Sequence, residues 1–386
     1  MTPFAFNTTA GIRLGSGIAA TLGEIAGARL GKSVLFITDA GLVSLGLCKP
    51  AIASLEKAGC SVAVFDQVEA DPSLATLMAA TQAARAINAS GIVGFGGGSS
   101  MDVAKLAALL CGSGEDIDEA WGVANAKGPR LPLVLVPTTA GTGSEVTPVS
   151  IITVSGDEKR GVSSPVILPD LAILDPDLTL GLPASITAAT GIDAMVHAIE
   201  AYASKSANNN PMSRMLAVEA LRLLGANIET AVNHGSDLAA RSAMLLGSML
   251  AGMAFANSPV AAVHALAYPV GGIFHVPHGL SNALVLPHVL RFNAPEAAHL
   301  YAELAPHAFP DIDMSAGTQG VCAQFIERLA ALSADLGLKT RLREVGVSES
   351  DLPRMASDAM KQTRLLVNNP RDVSEADALS IYRAAY

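Results

Sequence analysis

Asp193 and His197 stand four residues apart in the stretch GIDAMVHAIEAY, residues 191–202. In a helix that spacing puts a carboxylate and an imidazole on one face, one turn apart. A second stretch, HALAYPVGGIFHVPHG at 264–279, carries His264 and His278 on either side of Pro269, Gly271, Gly272 and Pro277. One straight helix cannot run through those breakers, so the chain is expected to end a helix, turn and return. Asp193, His197, His264 and His278 are then expected to meet around one divalent metal. The plain alternative is structural: an Asp-x-x-x-His pair is common, and a histidine on an apolar helix face is often just hydrogen-bonded. Concentration favours the metal. The sequence has 8 His in 386 residues, and His264, His275 and His278 crowd into one short segment. The flanks of Asp193 and His197 are apolar, where an ionisable group is costly unless paired or metal-bound.

A phosphate site is the second chemistry the residues suggest. GIVGFGGGSS (91–100) reads as a strand that breaks into a glycine loop, and MDVAKLAALL (101–110) continues as a helix. Glycines let the backbone approach a ligand, and a helix N-terminus offers free N–H groups and the positive dipole end. The loop is neither GxGxxG nor a Walker A sequence, and a tight turn without a ligand is the competing reading. A second small-residue loop, PTTAGTGSE (137–145), follows the strand 131–136. Its hydroxyls suit phosphate, ribose or a carboxamide; structurally it could form no more than a wide turn. Both loops lie at carboxyl ends of expected strands, where open α/β sheets bind ligands.

These residues need a scaffold, and the pattern supplies one. Strands are expected at 33–41, 60–68, 91–100, 131–139 and 170–176, with a strand or hairpin at 4–14, and helices between them. That alternation implies a mostly parallel sheet covered on both faces. Residues 140–169 read as an irregular polar segment. Beyond residue 182 the texture becomes helix after helix, including 260–268, 279–292 and 295–306. The expected division is an α/β domain at 1–181 and an all-helical domain at 182–386.

Composition narrows the class. Half the residues are hydrophobic and 16% are charged, enough for a large core. The net charge of −10, from 25 basic and 35 acidic residues, is spread without runs, which argues against nucleic acid and an anionic membrane surface. Cys48, Cys60, Cys111 and Cys322 are scattered, so no disulfide framework is expected, as in a reducing cytoplasm. Neither a signal peptide nor a membrane span is expected.

Together, GGGSSMDVAK (96–105), PTTAGTGSEVT (137–147), LPDLAILDPDLT (168–179), GIDAMVHAIEAYAS (191–204), PHG (277–279) and NNPR (368–371) resemble the iron-dependent (group III) alcohol dehydrogenase family. The resemblance covers essentially the whole chain. It implies an N-terminal dinucleotide-binding domain and a C-terminal helical domain, with the site in the cleft between. It implies that Asp193, His197, His264 and His278 hold Fe(II), with zinc as the other ion such ligands suit. NAD is the implied cofactor: Gly97, Gly98 and Ser99 hold its pyrophosphate with Asp102 just after, and Thr138, Thr139, Thr142 and Lys159 contact nicotinamide and ribose. Asp39 falls where relatives carry an acid near the adenosine ribose, which favours NAD over NADP. Members often carry a second histidine four residues after the third ligand, as a proton relay; here that place is Tyr268, and His275 is the substitute candidate. The implied reaction moves a hydride between a primary or short-chain alcohol, or its aldehyde, and NAD. Competing readings are a zinc-dependent polyol (glycerol-type) or hydroxyacid dehydrogenase on the same fold, and a catalytically silent metal- or NAD-binding protein. A cytoplasmic homodimer pairing through residues 4–14 completes the expectation.

Overall fold

The computed structural model describes residues 3–155 and 158–386. The chain forms two compact units. One comprises Asn7–Thr139 and Gly143–Leu180; the other comprises Gly181–Tyr386 together with the residues up to Phe6 and the short insert Ala140–Thr142.

The first unit is built on a parallel sheet of β1 (Ile12–Leu14), β2 (Ser33–Ile37), β3 (Ser61–Phe65), β4 (Gly91–Gly96), β6 (Leu133–Pro137) and β9 (Leu171–Leu174), in the order β1-β9-β6-β4-β2-β3. Strands β4 and β6 are buried residue after residue, as strands covered on both faces must be. The covering follows the period of two. Leu35, Ile37, Ile92, Leu133 and Leu135 pack with α4 (Leu74–Ala86) and α5 (Gly98–Gly112). Val34, Phe36, Val93, Phe95, Val134 and Val136 pack with α1 (Leu22–Leu30) and α3 (Lys49–Lys57). Strand order reverses between β2, which leads out to β3, and β4, which leads the other way to β6. Asp39, ahead of the short helix α2 (Ala40–Ser44), and Gly97 therefore follow the two strands that flank a topological switch point, where such sheets bind ligands.

Two expectations needed correction here. Within 4–14 the strand is confined to β1, paired in parallel with β9 at the sheet edge. The segment taken as irregular holds a second sheet, in which β7 (Val149–Ser155) and β8 (Glu158–Ser163) pair antiparallel and the short β5 (Gly122–Val123) adds in parallel. A short helix, α6 (Ile117–Ala120), precedes β5. The sequence reads as polar because β8 exposes alternate residues, its EKRGVS run putting Glu158 and Arg160 in solvent.

The second unit is helical: α7 (Ala184–Ala203), α8 (Pro211–Asn233), α9 (Leu238–Asn257), α10 (Ala262–Phe274), α11 (His278–Ala308), α12 (Gly317–Asp335) and shorter pieces beyond. Two expected breaks do not occur. Helix α10 runs past Pro269, and α11 is one helix through Pro287, Pro295 and Pro306. Each proline removes one backbone hydrogen bond, and the buried faces on either side hold the flanking turns in line. Helix α9 is long and apolar enough to cross a bilayer, which the sequence reading did not anticipate; 56% of its apolar window is buried in the unit, where it packs on α7 and α8.

Candidate metal centre and cofactor loops

Helix α7 is buried all round from Gly191 to Ala203, as its apolar circumference requires. On one stripe of it sit Asp193, His197 and Glu200, at i, i+4 and i+7. Helix α10 supplies His264. It stops where His275 takes a left-handed conformation (φ 54, ψ 31) as C-cap, and the chain re-enters a helix at His278, the first residue of α11. The end-turn-return expected from the prolines and glycines is thus made within residues 275–277.

The turn brings one ligand atom from each of Asp193, His197, His264 and His278 to within 4.8 Å of one another. Asp193 Oδ1 lies 3.7 Å from His278 Nε2 and 4.0 Å from His264 Nε2. The rings of His197 and His264 stack at 4.8 Å, and Phe255 stacks on the other side of His197 at 4.4 Å. Burial pushes the His197 imidazolium down to about 3; His264 and His278 add to this, and Asp193 opposes it. The ring is therefore neutral, with a lone pair to give. Burial would raise the Asp193 pKa, but the three imidazoles and the Asn282 amide outweigh it and hold the carboxyl below the usual range. One carboxylate and three imidazoles, all but His278 buried, are the donor set of a divalent cation.

What surrounds the four donors strengthens that fit. His264 Nδ1 is 2.6 Å from Glu200 Oε2, and His197 Nδ1 is 3.2 Å from the Gly141 carbonyl. With each Nδ1 donating outward, each Nε2 keeps its lone pair, the arrangement found behind metal-binding histidines. The other Glu200 oxygen accepts the Val263 N–H at 2.7 Å. A carboxylate from α7 thus caps the first turn of α10, whose own N-cap, Ala261, has no capping side chain. Sequence reasoning missed Glu200; the signal was available, since it continues the Asp193–His197 stripe by one more turn of an apolar helix. It also missed Asn282, one turn after His278.

Gly279 explains why glycine follows His278. A Cβ there would lie 2.4 Å from the Ala189 carbonyl oxygen, so the start of α11 meets α7 backbone to backbone.

Of the relay candidates, Tyr268 has its ring centroid 6.2 Å from that of His278. His275 is exposed.

Of the residues expected to contact the cofactor, all but Thr142 lie in the α/β unit; Thr142 belongs to the helical unit's insert. Gly96 has φ 151 and leads into α5, whose N-cap Gly97 carries no capping side chain, leaving first-turn N–H groups for an anion. Thr138 N–H donates to the Gly96 carbonyl at 2.9 Å, which ties the second loop to the first. A Cβ built on Gly97 would stand 3.7 Å from Thr139 Oγ1. Asp39 N-caps α2, accepting from Leu42 N–H at 2.9 Å. Lys159 is ion-paired with Asp71.

Asp102 is half-buried and hydrogen-bonded within its own unit. It accepts from Ser144 Oγ at 2.7 Å and Ile151 N–H at 2.9 Å, and lies 3.7 Å from the buried Lys105 ammonium. Lys105 in turn donates to Ser144 Oγ and the Val149 carbonyl, both at 2.7 Å. Asp102 and Lys105 therefore fasten the glycine-loop helix to the 144–151 segment. Burial lowers the Lys105 pKa to about 8, against the attraction of Asp102 and Glu145. Burial raises neighbouring Glu145 to about 7, its own backbone hydrogen bond and Lys105 opposing.

Because the Glu145 pKa is raised from 4.5 to about 7, the folded chain holds a proton between those values that the unfolded chain has released. Stability from this group is therefore greatest below pH 4.5 and is lost as pH rises toward 7, by on the order of 3 kcal/mol. Glu145→Gln is expected to remove that slope, so that Tm changes less than in the wild type between pH 5 and 7.5. Equal changes in both proteins would show that Glu145 does not carry the raised pKa.

The sequence matches the iron-containing alcohol dehydrogenase profile over residues 9–176 and that of the Fe-containing alcohol dehydrogenase family, C-terminal, over residues 187–386. It is 42% identical to long-chain-alcohol dehydrogenase 1 of Geobacillus thermodenitrificans, over 93% of this chain and 91% of that one. It is 34% identical to the NAD-dependent methanol dehydrogenase of Bacillus methanolicus, over 92% of each. The fold matches a crystal structure of 1,3-propanediol oxidoreductase with a TM-score of 0.95, at 36% identity and full coverage of both chains. With matches of this extent to both of its halves, the chain belongs to the iron-containing alcohol dehydrogenase family.

Proposed function

We infer that this protein is an NAD-dependent, iron-containing alcohol dehydrogenase that interconverts primary or short-chain alcohols and their aldehydes. The convergence of Asp193, His197, His264 and His278 within 4.8 Å carries the reading. The family match and the NAD-dependent relative support it. A bound Fe(II) supplies Lewis acidity to the alcohol or carbonyl oxygen, and bound NAD supplies the hydride acceptor. The chain's residues do the rest. Asp193, His197, His264 and His278 hold the ion. Glu200 and the Gly141 carbonyl fix two of the rings. Phe255 covers His197 and keeps water from it. Gly97, Gly98 and Ser99 receive the pyrophosphate at the start of α5, and Thr138, Thr139, Thr142 and Lys159 the nicotinamide half; Asp102 acts by positioning that helix. Tyr268 and His275 are the groups assigned to pass the proton outward, the first beside His278 and the second in solvent.

Segments 191–204 and 255–279 contain no Lys or Arg. A neutral alcohol or aldehyde therefore suits the site better than an oxoacid. The zinc-dependent polyol reading is not favoured, because both family matches are to the iron-containing branch. We assign the protein to the cytoplasm, its four cysteines being free thiols. We assign it a homodimeric state through the outer edge of β1, which pairs with β9 on one side and exposes Leu14.

The test is direct. Chain purified without oxygen, stripped with a chelator and reloaded with Fe(II), should reduce NAD with short alcohols and oxidise NADH with their aldehydes. No turnover across that panel with metal and NAD both bound would leave a silent binding protein instead.

Asp39 is expected to set the cofactor preference. A carboxylate beside the ribose accepts from a 2′-hydroxyl and repels a 2′-phosphate; two charges at 4 Å are worth roughly 4 kcal/mol at an effective dielectric of 20. Asp39→Gly should raise the NADP-to-NAD ratio of kcat/KM at least tenfold. An unchanged ratio removes Asp39 from the cofactor site.

A further inference from the structure

Asn282 stands one turn after His278 on α11 and is fully buried. Its amide nitrogen donates to Asp193 Oδ1 at 2.6 Å. The same nitrogen lies 3.2 Å from His264 Nε2 and 3.4 Å from His278 Nε2. One NH2 group thus faces three of the four atoms of the metal-binding set. Its carbonyl oxygen is buried and, among the described residues, has no hydrogen-bond partner. Leaving such an oxygen unpaired is destabilising. The reverse orientation would set amide oxygen against carboxylate oxygen at 2.6 Å, two acceptors with no proton between them. The nitrogen-inward orientation is therefore dictated by Asp193, and the unpaired oxygen is its consequence.

A carboxylate and imidazoles with inward lone pairs repel one another when brought together without a cation. The Asn282 amide supplies protons at that point of convergence. We propose that Asn282 is a positioning residue for the metal centre, holding Asp193, His264 and His278 in place so that the ion meets a preformed set. The proposal rests on the metal-centre reading above. It concerns neither the identity of the alcohol nor the cofactor. Substitution of a hydrogen-bonded residue behind metal ligands costs 10–100-fold in affinity in general, and a residue touching three of the four ligands belongs at the upper end.

The test uses the stripped chain reloaded with Co(II), whose visible absorption reports coordination geometry. Asn282→Leu keeps volume and removes the amide; Asn282→Ala is measured beside it in case leucine disturbs the fold, which circular dichroism and Tm check. Expected for both is Co(II) binding weakened 10–100-fold in competition with a chromophoric chelator, and a shifted or weakened visible band. A structural role lowers Tm without moving either readout. Equal or tighter binding with an unchanged band overturns the proposal and leaves the metal centre standing. A wild-type chain that takes up no cobalt at these four residues overturns both.

Discussion

Asp193→Asn is expected to lower kcat/KM by three orders of magnitude or more, a loss of about 4 kcal/mol in transition-state stabilisation. The substitution is isosteric, and the new amide oxygen can still accept from Asn282 Nδ2, which now reaches Asp193 Oδ1 at 2.6 Å. What disappears is the single negative charge among the four donors. Three imidazoles and an amide bind a divalent cation far more weakly than three imidazoles and a carboxylate. Iron content after anaerobic purification should fall with activity, while circular dichroism stays as in the wild type. Full iron occupancy with full activity would falsify the ligand role of Asp193.

Gly279→Ala is the second large effect, and it arises from backbone rather than from chemistry. The added methyl would sit 2.4 Å from the Ala189 oxygen and 2.8 Å from its carbonyl carbon. Neither atom is the end of a flexible side chain, so the start of α11 must move away from α7. His278 is the adjacent residue and moves with it, while Asp193 and His197 stay on α7. Overpacking of this kind costs about 1–3 kcal/mol in stability, and a displacement near 1 Å at a reacting site about 100-fold in rate. The expected result is a Tm lowered by several degrees and weakened metal retention, while the glycine loop, which lies in the other unit, keeps its geometry. Wild-type metal retention in a folded Gly279→Ala chain would sink the argument.

The sequence determined the broad design because its signals are local. Apolar runs of five or six residues, each followed by a helical period, could be satisfied by little except a parallel sheet covered twice, and β2, β4 and β6 form it. The glycine loop after β4 was legible for the same reason, since it marks where a strand must become a helix. The Asp193–His197 pair needed nothing beyond a helical repeat. The family was legible from the order and spacing of six short motifs.

Tertiary structure decided what depends on a partner far along the chain. Glu200 is one more acid on a helix until His264 and Val263 arrive from 64 and 63 residues away. Asn282 is an ordinary helical amide until Asp193 meets it across 89 residues. Asp102 is one more acid after a glycine loop until Ser144 and Ile151 donate to its oxygens from 42 and 49 residues away. The prolines of α10 and α11 read as breaks, and packing overrode them. The polar segments 149–155 and 158–163 became a sheet because β7 and β8 satisfy each other's backbone groups, a reward invisible in side-chain pattern. Residue type and spacing state what chemistry a chain can do; which groups are desolvated together, and so which of them must share a proton or an ion, is fixed when distant segments close on one another.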